Sequence, residues 1–274
     1  MQHNHERDKR LLLEISYDGK NFGGWQIQPD NLSVQELLQN TLVKLYGGKE
    51  IKLVGSSRTD AGVHAIAFAA SFVAPARPSI PLEKLKKALN GLTPASISIR
   101  SIAEVPMDFH VRFDALGKAY TYVINLGEEN PFSADYSWLA RWKLDIEQMQ
   151  AASAHLVGTH DFSSFVVNRD NIDNAIRTIY DIDFQQFGSF LCITFVGNGF
   201  LYKMIRCLVG ALEAVASGAI SSNDLKEILE FKDRTKAPQT SPPHGLFLMK
   251  VFYDQAEISQ YKLKDVPFFL GGQC

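Results

Sequence analysis

Apolar and polar positions along the chain fall into two similar runs of elements. Residues 11–17, LLLEISY, read as a strand entering a turn at Asp18-Gly19. Ser33 and Glu36 have the spacing of a capping box, and Val34, Leu37, Leu38, Leu42 and Leu45 follow at helical spacing until Gly47-Gly48. A short strand is predicted over 51–54, then a polar loop, then a strand over 65–73. Ser79 and Pro81 open a second helix over LEKLKKALN, closed by Gly91, and 97–105 alternates as a strand. This half reads β-α-β-β-α-β.

A connector over 107–117 leads to a second run. It predicts a strand over 118–125 and a helix capped by Asp145, running through His155 and ending at Gly158. Two strands, 177–187 and 190–196, flank the hairpin signal Gly188-Ser189. A long helix is predicted over 200–216, with Leu201, Met204, Ile205, Leu208, Val209, Leu212 and Val215 on one broad apolar face. A short helix capped near Ser222 and a strand over 246–253 complete the run. The repeated order predicts an α+β protein of two ferredoxin-like (equally RRM-like) β-α-β-β-α-β lobes. Their antiparallel sheets are expected to join around a central cleft, with one lobe at 1–113 and the other at 114–274. Binding sites favour such junctions, so both lobes should contribute residues.

Composition narrows the class. The chain has 274 residues, 46% apolar and 21% charged, as expected of a soluble globular protein with an ample core. No uncharged stretch approaches the roughly 18 apolar residues of a membrane span. The N-terminal MQHNHERDKR lacks the apolar segment of a secretory signal. Cys192, Cys207 and Cys274 are odd in number and widely spaced, which predicts reduced thiols in a cytoplasmic setting. The net charge of −2 argues mildly against nucleic acid, so any RNA partner must meet a locally basic surface.

The stretch GSSRTDAGVHA, 55–65, concentrates the reactive groups: Asp60, Arg58, Thr59 and His64, with Gly55 and Gly62 relaxing the backbone. A polar hairpin turn whose side chains bond their own backbone explains the same residues equally well. Tyr120 and Tyr122 share one sheet face, either as a stacking platform for a base or as packed core aromatics. Arg206, among Ile205, Cys207 and Leu208, is either solvated on a helix flank or turned inward to a carboxylate; Lys203 competes with it. The inward reading needs a partner, and Asp60 is the one nominated. His64, His110, His160 and His244 stand in loop-like segments without metal-ligand spacing. There is no P-loop, GxGxxG or nucleophile elbow, and Asp60 lacks the second carboxylate of a glycosidase.

SRTDAGVHA (57–65) closely resembles the active-site signature of the tRNA pseudouridine synthase A family. Further blocks resemble that family in family order: YDG (17–19) with FGGWQIQ (22–28), FHVRF (109–113), KAYTY (118–122), GTHDFSSF (158–165), NGFLYKMIRCLVG (198–210) and PPHGL (242–246). The resemblance implies isomerisation of uridine to pseudouridine at positions 38, 39 and 40 of the tRNA anticodon stem-loop. It implies Asp60 as nucleophile, Tyr120 stacked on the target uracil and Arg206 paired with Asp60. It also implies Arg58 beside the extruded nucleotide and Leu246 lining the pocket. No cofactor or metal is implied; a homodimer is. Two positions depart from the family pattern. Ser57 stands where Gly is usual, a cost of about 1 kcal/mol if the backbone there needs positive φ. Ala237-Pro-Gln-Thr-Ser241 replaces Ala-Gly-x-Thr-Ala.

Overall fold

The computed structural model describes residues 7–167 and 174–270. Cys274 and the first six residues, both read above from sequence, lie outside the described residues. The chain divides into two compact units between Ala115 and Leu116.

The first unit contains β1 (Lys9–Tyr17), α1 (Val34–Leu45), β2 (Val54–Gly55), β3 (His64–Ala74), α2 (Leu82–Leu92) and β4 (Ile97–Val105). β1 lies antiparallel between β3 and β4, with Leu13 opposite Ala70 on one side and Ile102 on the other. β2 pairs with β3 at the same Ala70 and Ser71, and so takes the edge that β1 leaves open. The strand order is therefore fourth, first, third, second, as in ferredoxin-like domains. Leu11, Leu13 and Ile15 stand opposite Phe72, Ala70 and Phe68, and all six are buried. Leu38 and Leu42 of α1 and Leu85 and Leu89 of α2 complete this core.

Two elements differ from the sequence pattern. Ile51 and Leu53 are buried, yet pairing is confined to Val54–Gly55. Two glutamines of α1 satisfy the Leu53 backbone instead: Gln35 Nε2 donates to its carbonyl at 2.8 Å, and Gln39 Oε1 accepts its amide at 3.1 Å. Gly91 does not close α2, which runs on to Leu92 and ends at Thr93.

The second unit contains β5 (Gly117–Asn125), β6 (Trp138–Leu139), α3 (Ile146–Ser153), β7 (Gly158–Asp161), β8 (Ile176–Phe187) and β9 (Phe190–Gly197). Then come α4 (Met204–Ala216), α5 (Ser222–Phe231), β10 (Leu246–Phe252), α6 (Gln255–Gln260) and α7 (Pro267–Leu270). Its strands run β10-β5-β9-β8-β7, with β6 parallel beside the end of β5. The four long strands repeat the order fourth, first, third, second.

The departures here have local causes. Lys203 adopts a left-handed φ of 58°, so α4 starts at Met204 and the predicted first turn is not helical. Asp145 caps α3 as expected, accepting the Gln148 amide at 3.0 Å, but α3 tightens into a 3-10 turn at Ala154–Leu156. Gly158, with φ of 107°, begins β7 where the sequence predicts the end of a helix. Ser221 caps α5, in a reciprocal box with Asp224. Among the described residues no helix is long and apolar enough to cross a membrane.

Candidate active site

Asp60 opens a tight turn in the first unit. The Val63 amide donates to the Asp60 carbonyl at 3.2 Å, and Gly62 takes the positive φ, 77°, that the third position of a type II turn requires. The residue before Asp60 is held from two directions. The Thr59 hydroxyl shares a buried 2.8 Å hydrogen bond with the Tyr17 hydroxyl, and the Thr59 carbonyl accepts the Trp25 amide at 3.3 Å. Trp25, 2% exposed, stacks on Phe68 with ring centroids 4.0 Å apart, and Tyr17 lies 5.8 Å from the same ring. The turn is thus seated on an aromatic floor.

Two glycines make this seating possible. A Cβ on Gly24, whose φ is 100°, would lie 2.4 Å from the Thr59 carbonyl oxygen and 3.0 Å from the Asp60 carbonyl carbon. A Cβ on Gly19 would lie 2.1 Å from the Val63 carbonyl oxygen. Neither could be accommodated, so the backbone of 19–24 lies directly against that of 59–63. The sequence blocks YDG and FGGW acquire a physical role as the clamp of the Asp60 turn. Spacing alone did not reveal it, because the partners are some 40 residues apart in the chain. Arg58 is exposed beside the turn, and His64, expected in a loop, instead begins β3 and is buried. Ser57 is not among the non-glycine residues with positive φ, which among the described residues are Lys203 and Lys232, so it carries no such strain.

The second unit holds Tyr120, Arg206 and Leu246. Tyr120 and Tyr122 point to the same face of β5, opposite Leu248 and Leu246 of β10. Their environments differ. Tyr122 is wholly buried; its hydroxyl donates to the Pro242 carbonyl at 2.8 Å, its ring meets Trp138 edge-on, and burial pushes its ionisation well above the ordinary range. It is a core residue, not part of a platform. Tyr120 is 7% exposed and meets Phe200 edge-on with centroids 5.4 Å apart. Leu246, also buried, sits diagonally across from it.

Arg206 lies in the first turn of α4, on the one stripe of that helix that is only half-buried. Its Nε donates to the Ser241 carbonyl at 2.8 Å. The divergent loop 237–241 is therefore what orients the guanidinium, and it is tightly held. Arg234 donates to the carbonyls of Ala237 and Pro238 and to the Thr240 hydroxyl, at 2.9, 3.1 and 2.9 Å. Thr240 in turn touches Cys207 Sγ at 3.4 Å, and a Cβ on Gly210 would fall 1.9 Å from the Gln239 carbonyl oxygen. Arg234 carried no signal in the sequence, because its contacts are to backbone carbonyls made close by the fold. Among the described residues no three or more His, Cys, Asp or Glu side chains are grouped as a metal ion would need.

The chain also resembles known proteins. A family model described as tRNA pseudouridine synthase matches residues 15–114 and 152–254. A tRNA pseudouridine synthase A of Exiguobacterium sibiricum is 43% identical over 249 residues, covering 91% of this chain and 98% of its own length. That of Thermoanaerobacter sp. is 41% identical over 246 residues, covering 89% of this chain and all of its own. That of Listeria monocytogenes is 42% identical over 248 residues, covering 89% and 99%. A solved structure of a Cbf5-Nop10-Gar1 complex is 12% identical, with a TM-score of 0.36 over 87% of this chain and 58% of that one. With both units matched and the relatives covered almost end to end, the chain belongs to the tRNA pseudouridine synthase A family.

Proposed function

We propose that this protein isomerises uridine to pseudouridine in tRNA, at positions 38, 39 and 40 of the anticodon stem-loop, with Asp60 as the nucleophile. Family membership supports the reaction, and one observation carries the assignment of the residue. Asp60 opens a turn whose backbone is pressed from outside by Gly19 and Gly24, and the preceding Thr59 is bonded through its hydroxyl to Tyr17 and through its carbonyl to Trp25. A backbone held so firmly fixes where the Asp60 side chain starts, which suits a nucleophile, whose reaction tolerates little misplacement.

The reaction breaks the bond from N1 of uracil to the sugar, turns the base and joins C5 to the sugar. The proton leaving C5 is balanced by one gained at N1, so no atom enters or leaves. The target uridine is first unstacked, at a cost of a few kcal/mol, and Arg58, exposed beside Asp60, fills the vacated stack. Arg206, its plane set by Ser241, pairs with the Asp60 carboxylate. Tyr120 offers a flat face to the detached uracil, which lets the base turn without drifting, and its hydroxyl takes the C5 proton as it gives up its own towards N1. Leu246 closes the apolar side of the pocket. We further infer that the enzyme works in the cytoplasm as a homodimer.

The deciding experiment is site-resolved pseudouridine mapping on transcribed tRNA without added metal, with Asp60→Ala as control. Conversion in the anticodon stem-loop by the native protein, absent with Asp60→Ala, is expected. Base release, strand loss or undiminished conversion by the variant would overturn the proposal.

A further inference from the structure

We propose that His64 is a positioning residue for Asp60. Through Nδ1 it anchors the Asp18-Gly19 turn, which braces the far end of the Asp60–Val63 turn. The inference rests on Asp60 being the nucleophile.

His64 is 2% exposed, and a buried imidazole is tolerated where its nitrogens find partners. Its Nδ1 lies 3.1 Å from the Gly19 amide, which donates to it, and 3.0 Å from Asp18 Oδ1. The first contact uses a lone pair on Nδ1 and the second a hydrogen, so the two belong to different protonation forms of the ring. Both partners are consecutive residues of one turn. Nδ1 therefore grips that turn in either form.

The turn has further ties. The Asp18 amide donates to the Ser96 carbonyl at 2.9 Å, and Asp18 Oδ1 accepts the Lys20 amide at 3.0 Å. From Gly19 the brace passes to Val63, whose carbonyl occupies the space where a Gly19 Cβ would be. Val63 then donates its amide to Asp60. Tyr17 and Trp25 hold Thr59, on the N-terminal side of Asp60. His64, through Gly19, holds the other.

The chemistry of Nδ1 gives a test with internal controls. Asparagine brings either an oxygen or a nitrogen of its amide to the Nδ1 position. Glutamine reaches the Nε2 position instead, and leucine fills the space without a polar atom. Single-turnover pseudouridine formation and tRNA affinity would be measured for His64→Asn, His64→Gln and His64→Leu beside Asp60→Ala. The Leu and Gln variants are expected to slow the reaction on the order of 10- to 100-fold, while affinity stays within about twofold. The Asn variant is expected to recover most of the rate. An Asn variant as slow as Gln, a loss of affinity in place of rate, or native rates throughout would overturn the assignment. Should the Leu variant fail to fold, the Asn–Gln comparison decides alone. Native activity in Asp60→Ala would instead remove the nucleophile reading itself, whatever the His64 series does.

Discussion

Arg206 and Ser241 hold each other at two points. Arg206 Nε donates to the Ser241 carbonyl at 2.8 Å, and the Ser241 amide donates to the Arg206 carbonyl at 3.1 Å. Because Nε lies in the guanidinium plane, the first bond sets the orientation of the whole group. Lysine keeps the charge but has neither that donor nor the plane. Arg206→Lys is expected to lower single-turnover rate on the order of 100-fold with tRNA affinity nearly unchanged. A variant that reacts at the native rate would show that charge alone suffices and that the Ser241 bond is irrelevant to turnover.

Gly24→Ala tests the clamp on the Asp60 turn. The new methyl would meet the Thr59 carbonyl at 2.4 Å, with φ at 100° adding strain of about 1–2 kcal/mol. The turn must move, so turnover should fall by more than the loss of thermal stability accounts for. Stability is read by calorimetry and turnover on the folded fraction; equal proportional losses would count against the clamp.

Gly210→Ala probes the other unit in the same way. Its Cβ would fall 1.9 Å from the Gln239 carbonyl, which is backbone and cannot swing aside. A destabilisation of about 1–3 kcal/mol is expected, together with a slower reaction as Ser241 is displaced from Arg206. Urea unfolding and single-turnover rates check the two halves of this statement separately.

Tyr120 and Tyr122 should part company when mutated. Tyr122→Phe strands the Pro242 carbonyl and is expected to cost about 1–3 kcal/mol of stability. Tyr120→Phe keeps the stacking face, so stability and tRNA affinity should hold while the rate falls with the loss of the proton acceptor. If Tyr120→Phe proved as fast as the native enzyme, the proton would have another destination.

The acid limit of stability should depend on Asp161. Burial alone would raise its carboxyl, but the Ser163 hydroxyl and amide, with Lys232 at 3.3 Å, hold it below its usual value. A carboxyl lowered in the folded state adds stability above its unfolded value and loses it as pH falls through the folded one. Asp161→Asn should therefore be the less stable protein at neutral pH, with the gap closing below the ordinary aspartate range. Unfolding midpoints across pH give the answer; a gap that widens on acidification would reverse the sign.

Much of the first unit was legible because elements such as β1 and α1 bury one face each. β4 is found where the alternation of 97–105 puts it, and α1 begins where Ser33 predicts, since both signals are local. What escaped was decided by distant partners. Leu53 leaves the ladder because glutamines of α1 reach it first, and β6 and β7 are too short to carry a period. The chain pattern left Asp60 balanced between function and an ordinary turn; the family signature tipped that balance. The bracing by Gly19, Gly24 and His64 becomes visible only when segments far apart in sequence are brought side by side.

Trp25 joins its amide to Thr59 and its indole to Phe68, so the segment bearing Asp60 shares the rigidity of the hydrophobic interior. It is no swinging flap. Under the proposed function, the motion that carries a stacked uridine to Asp60 is thereby left to the nucleic acid and to parts of the chain beyond this seat. Transcripts with a looser anticodon stem should accordingly be converted sooner than rigid ones.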